Sequence, residues 1–135
     1  MTAWTTQELE KIGSTEELRI ASARRNGSLR SPVTIWVVRV GGELYVRSVN
    51  GRTGAWFRAT QVRQEGRLWA AGLEKDVTFA YPDPDSGDQI DAAYRTKYRR
   101  YAANILGSIL SPQARSATLQ LMPRATGLPA ADRAA

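Results

Sequence analysis

The chain has 135 residues, a formal charge of +6, no cysteine and no histidine. One domain is the expectation at this length, and 42% hydrophobic residues suffice for a core. Disulfides, thiol nucleophiles, thiolate metal sites, Ser-His-Asp hydrolysis and histidine-based metal centres are excluded, so no metal site is expected.

In chain order, Thr5 and Glu8 have the spacing of a capping box, and Leu9 and Ile12 follow on one face before Gly13. This predicts an N-terminal helix over about 5–12. Residues 17–24 alternate as a strand, and Asn26-Gly27 marks a tight turn. The run 33–40 is β-branched and nearly all apolar, which predicts a strand covered on both faces. Gly41-Gly42 turns the chain into a third strand over 44–49. A loop of Asn50, Gly51, Arg52, Thr53 and Gly54 leads to a short helix over 55–62. Strands are expected at 67–71 and 74–81, a helix from Asp85 or Ser86 to Arg100 or Tyr101, a short helix at 104–110 and a sixth strand over 116–123. The expected domain spans 1–124, and the Ala-, Gly- and Pro-rich stretch 125–135 is expected to be disordered. Tight-turn connections favour a mainly β fold, a six-stranded, mostly antiparallel split β-barrel with short helices.

The cations are almost all arginine, 16 against 3 lysines, and arginine suits bidentate contact with phosphate or carboxylate. They are dispersed from Arg19 to Arg133, which argues against a nucleic-acid surface. The densest candidate site is Arg47-Ser48 with Asn50-Gly51-Arg52, where glycines permit close backbone approach and guanidinium groups neutralise an anion. The plain alternative is a solvated hairpin loop. Trp36 and Trp56 can stack on a flat ring or simply fill core. Glu74-Lys75-Asp76 offers acid–base groups, more simply read as solvent-facing charges. Tyr94, Tyr98 and Tyr101 with nearby cations read as a packing face before a nucleic-acid face. Asp83, Asp85 and Asp88 lack the glycine and terminal glutamate of a calcium loop and read as helix-start acids. No apolar run is long enough to span a membrane, the N-terminus lacks the pattern of a secretory signal, and a cytoplasmic location is expected.

Three stretches carry a family resemblance: Leu29 to Trp36, Arg47 to Arg58, and the set Glu-Leu-Arg-Ile, Val-Thr-Ile-Trp-Val-Val, Glu-Lys-Asp-Val-Thr-Phe and Ala-Tyr-Arg-x-Lys-Tyr. Over residues 15–124 the chain resembles the flavin-nucleotide-binding split β-barrel superfamily, which includes pyridoxamine-phosphate-oxidase-like and deazaflavin-dependent nitroreductase-like proteins. More closely it resembles an uncharacterised bacterial family within it, a domain of unknown function. The resemblance implies a homodimer with a nucleotide at the interface, either FMN or a deazaflavin. It also implies oxidoreductase chemistry on a small organic substrate supplied by that cofactor. Carried onto this chain, the candidate cofactor contacts are Arg30, Ser31, Thr34, Trp36, Arg47, Ser48, Asn50, Gly51, Arg52, Trp56 and Arg58. No residue type here forces a catalytic role. The alternatives are a cofactor-free barrel that binds a small ligand or acts as an interaction module, and a nucleic-acid binder.

Overall fold

A computed structural model describes residues 3–124. The disorder expected over 125–135 falls outside the described residues.

Thr5 caps α1 (Thr6–Ser14) through the reciprocal Thr5–Glu8 box that the spacing predicts. The helix buries Leu9 and Ile12 in the barrel core. Beside them Trp4 donates its indole N–H to the Leu121 carbonyl at 2.9 Å. The strands are β1 (Glu17–Ser22), β2 (Val33–Trp36), β3 (Val38–Val40), β4 (Glu43–Arg47), β5 (Glu65–Ala70), β6 (Leu73–Ala80) and β7 (Thr118–Pro123). All pairings are antiparallel, in the order β2-β1-β5-β6-β7-β4-β3.

The two strands at the ends of that order are neighbours in the chain, separated by Val37 alone. This is where seven strands replace the expected six. Residues 33–36 pair with β1, and residues 38–40 pair with β4. The strand changes partner at Val37, and the sheet closes into a split barrel through that switch. Burial on both faces, expected of 33–40, belongs instead to β4. Its Leu44 and Val46 enter the barrel core, and Tyr45 faces the outer helices.

A residue between two pairings leaves its peptide groups without ladder partners, and buried peptide groups need them. Val37 is fully buried. Its partners come from α3 (Gly87–Lys97) and the residue after it. Tyr98 Oη accepts from the Val37 N–H at 3.1 Å. Its own proton is shared between the carbonyls of Glu16 at 2.7 Å and Val37 at 3.0 Å. Lys97 Nζ donates to the Val37 carbonyl at 2.6 Å. The helix therefore stops at Lys97, short of the expected Arg100 or Tyr101, and Tyr98 to Tyr101 form a turn.

The remaining helices are α2 (Ala55–Arg63), α4 (Ala103–Leu110) and α5 (Pro112–Arg115). After the short helix expected at 104–110, Ser111-Pro112 reads as a stop. It is also a start: Ser111 caps Ala114 N at 3.1 Å and Pro112 occupies the first turn, where its missing N–H costs nothing. With α3 and α4 on the outside, Val38, Tyr45, Ile90, Tyr94, Tyr98 and Ile109 form a second apolar cluster apart from the barrel interior. Among the described residues no helix is long and apolar enough to cross a membrane.

Tyr98→Phe keeps the ring and removes the partner of the Val37 N–H. We expect a loss of about 1–3 kcal/mol in urea unfolding, larger than for Tyr81→Phe at an exposed position. Lys97 gives a pH signature. Burial pushes its pKa down to about 8, which the charge of Glu16 only partly offsets. An unfolded lysine titrates near ~10.4. Between those values the unfolded chain holds a proton that the folded chain lacks, so this group adds stability as pH rises through the window. Above about pH 10 the unfolded tyrosines ionise, while burial keeps Tyr94 and Tyr98 neutral in the fold, and stability falls. The stability of the wild type minus that of Lys97→Met should be flat below the folded value and climb above it, as measured by unfolding across pH.

Candidate functional site

The loop after β4 is built by glycine geometry. Gly51 has φ +74°, and a side chain there would drive a Cβ to 2.5 Å from Gln113 Cγ. Gly54 lies where a Cβ would be 2.8 Å from Ser48 Oγ. The loop spends its own polar groups. Gly51 N donates to Ser48 O and Gly54 N to Gly51 O. Gln113 Nε2 holds the Asn50 carbonyl at 2.9 Å, and Arg52 Nε holds the Ser116 carbonyl at 2.9 Å. Arg52 also sits over the rings of Phe57 and Tyr81.

Arg47 points inward. It is 3% exposed, pairs with Asp91 of α3 at 2.6 Å, and donates to Thr118 Oγ1 at 2.9 Å and the Ile109 carbonyl at 3.1 Å. Arg115 reaches the other oxygen of Asp91 at 3.1 Å, and the Tyr94 ring lies beneath the Arg47 guanidinium at 5.3 Å. This buried cluster ties β4, β7, α3, α4 and α5 together. Burial pushes the Tyr94 phenol up, so it remains neutral beside the cation. The sequence places Arg47, Ser48 and Arg52 in one phosphate cradle. The fold separates them: Arg47 is held in the interior, Ser48 is buried under Gly54, and Arg52 lies along α5. Asp91 is the partner that sequence reading missed. Its signal is an acidic residue one turn from Tyr94 on the packed face of an amphipathic helix.

Two adjoining clefts share Trp56 as a wall. One, of about 260 Å³, is lined by Glu17, Thr34, Trp36, Arg47, Trp56 and Ile109, with Val49 and Ile105 at its mouth. Those last two are exposed at 45% and 46%, and sequence reading did not single them out. The other, of about 280 Å³, is lined by Ser22, Arg30, Ser31, Val33, Trp56 and Phe79, with Ala55 and Ala59 of α2. Each is below the roughly 300–1,000 Å³ of ligand pockets, and the pair together reaches that range. The structure thus gathers Arg30, Ser31, Thr34, Trp36, Arg47 and Trp56 of the predicted contacts. Asn50, Arg52 and Arg58 are exposed, Gly51 is buried within its loop, and none of the four lines either cleft.

Arg30 stands out because its Nε is buried with no hydrogen-bond partner. Beside it α2 begins at Ala55 after Gly54, which gives no side-chain cap, so the amides of the first turn are open to an anion. Trp36 is committed on one face: it stacks on Tyr98 at 3.9 Å and 4°. A concavity of about 350 Å³ near Asn26 contains Arg63, Arg67 and Arg124, but these lie against Glu65, Glu74 and Asp76. Lys75 pairs with Glu8 at 2.7 Å, so the Glu74-Lys75-Asp76 charges bind within the fold. Asp83 accepts from Asp85 N at 3.0 Å as a helix-start acid, and among the described residues no acidic group forms a metal cluster.

The architecture is that of a split β-barrel. Within it the chain belongs to the DUF2255 family, described as an uncharacterised protein conserved in bacteria, whose model matches residues 8–121. Similar solved structures include an F420 reductase, at 12% identity and TM-score 0.57, covering 87% of this chain and 93% of that one. HutZ, the heme storage protein from Vibrio cholerae, matches at 12% identity and TM-score 0.61, covering 92% of each. A FAD-binding protein from Mesorhizobium loti matches at 16% identity and TM-score 0.56, covering 92% and 93%. No curated protein matches the chain.

Asp91→Ala should strand the buried Arg47 charge and cost about 3–5 kcal/mol in chemical unfolding. Arg58→Ala, at an exposed position on α2, should change stability by no more than about 0.5 kcal/mol in the same assay.

Proposed function

We propose that this protein binds a flavin- or deazaflavin-type nucleotide in the paired clefts around Trp56 and uses it in oxidation–reduction of a small organic molecule. The observation that carries this reading is Arg30, a guanidinium with a buried, unpartnered nitrogen on the wall of a mostly apolar cleft. Leaving such a donor unpaired is costly, and an anionic ligand group removes the cost. Arg30, Ser31 and the first amides of α2 would hold the phosphate. Trp56, Thr34 and Trp36 would hold the ring.

The residues fit the group. Such a cofactor carries hydride or single-electron transfer when bound. The chain's part is to grip the phosphate, hold the ring against apolar walls and keep water from it. Val49 and Ile105 leave the cleft mouth apolar and open, and a second copy of the chain seated there completes the enclosure. The names of two similar structures, an F420 reductase and a FAD-binding protein, support the same class of ligand. Heme, named for another, finds neither histidine nor cysteine in this chain as axial ligand.

The test is a fluorescence titration of the purified protein with FMN and with a deazaflavin cofactor. Binding of at least one is expected. Arg30→Met should weaken it by about ten- to a hundredfold, the worth of a charged hydrogen bond. Arg52→Ala, outside both clefts, should change it little. Absence of binding to both cofactors would overturn the proposal.

A further inference from the structure

Four aromatic rings run without a gap from the cleft to the outside of the molecule. Trp36 lines the cleft. Its indole lies flat on Tyr98 at 3.9 Å and tilted against Tyr101 at 4.8 Å. Tyr98 also neighbours Tyr94 at 6.0 Å and Tyr101 at 6.1 Å. The seam at Val37 requires the Tyr98 hydroxyl, but packing α3 and its following turn does not require the hydroxyl environments of Tyr94 and Tyr101.

The three phenols differ in what could take their protons. Tyr94 Oη is buried with no partner. Tyr98 Oη meets only peptide groups, those of Glu16 and Val37, and peptide carbonyls are very weak bases. Tyr101 Oη donates to the Glu16 carboxylate, which also receives Arg100. Tyr101 and Glu16 are half-buried at the surface end of the stack. A phenol that loses an electron becomes a strong acid. It is readily oxidised only where a base already holds its proton, as proton transfer needs hydrogen-bond contact. Tyr101 alone among the three satisfies this.

We propose that Trp36 and Tyr101 form an electron relay from the surface to the cleft, with Glu16 as the proton acceptor. The source of the oxidising equivalent rests on the flavin-type reading above. Trp36 gives one electron to a photoexcited flavin-type ring in the cleft and becomes a radical cation. Tyr101 gives one electron to Trp36, restoring the indole, and passes its proton to a Glu16 oxygen. The products are a neutral tyrosyl radical, a protonated Glu16 and a ring reduced by one electron. Tyr98 and Tyr94 lack a base and stay reduced. The relay gives the site an inlet for single electrons from the surface, with Tyr101 open to an external donor that resets it.

Two measurements separate the relay from the cofactor. In the first, the flavin-free protein is oxidised by a flash-generated ruthenium(III) polypyridine complex and radicals are followed by transient absorption and electron paramagnetic resonance. A tyrosyl signal is expected. It should fall at least several-fold in Tyr101→Phe and in Glu16→Gln, with a longer-lived tryptophan radical in both, and remain in Tyr81→Phe. In the second, FMN bound to the protein is photoexcited, and Trp36→Phe should suppress the same tyrosyl signal. A tyrosyl signal undiminished in Tyr101→Phe, or lost in Tyr81→Phe, overturns the relay whatever the flavin does. A positive first measurement with no FMN response upholds the relay and removes the flavin as its oxidant. Circular dichroism of each variant confirms that the fold is kept, which Tyr101→Phe favours by preserving the ring on Trp36.

Discussion

Closure of this barrel depends on one peptide. Val37 stands between two pairings, and its N–H and carbonyl are satisfied by the side chains of Tyr98 and Lys97. A ladder would have satisfied them with backbone, independent of sequence. Here the seam needs a phenol and an amine delivered from the last residue of α3 and the one after it, so the outer helix layer is part of the barrel wall. The flat stack of Trp36 on Tyr98 follows directly, since Tyr98 must lie against the strand to reach Val37. That stack fixes one wall of the cleft.

The second constraint is the buried charge of Arg47. A guanidinium in an interior is tolerable only when fully engaged, and Asp91, Thr118 and the Ile109 carbonyl engage it. The ion pair locates α3 across β4, while the seam locates the helix end across Val37. With α3 fixed at its middle and its C-terminal end, α4 packs beside it and carries Ile105 and Ile109 to the cleft. The cleft is therefore positioned by structural charge, and Arg30 is the cation left with an unpaired buried nitrogen.

Much of the fold was legible because local chemistry agreed with tertiary context. The Thr5–Glu8 box, the Asn26-Gly27 and Gly41-Gly42 turns and the alternation of β1 all read directly. The strand split at Val37 was not legible, since a run of β-branched residues looks the same whether it keeps one partner or changes to another. The site was half legible. Arg30, Ser31 and Trp56 are named as candidate contacts by the family resemblance, and they line one cleft. Arg47 and Arg52 could not be told apart from Arg30, because an arginine's role is set by which carboxylate or carbonyl lies opposite, and those partners are far along the chain. Asp91 lies 44 positions from Arg47 in sequence.

The strand furthest along the described chain, β7, lies between β6 and β4 in the middle of the sheet. Trp4, near the other end, hydrogen-bonds to it at Leu121. A chain emerging from the ribosome in order therefore carries two unpaired strand edges, and an N-terminal helix without its anchor, until β7 arrives. Closure pairs segments far apart in sequence, which is slow and leaves sticky edges open meanwhile. The barrel thus closes only once β7 has been made. Substitutions in β7 should be felt first as poor yield of soluble protein, before any change in what the finished molecule can bind.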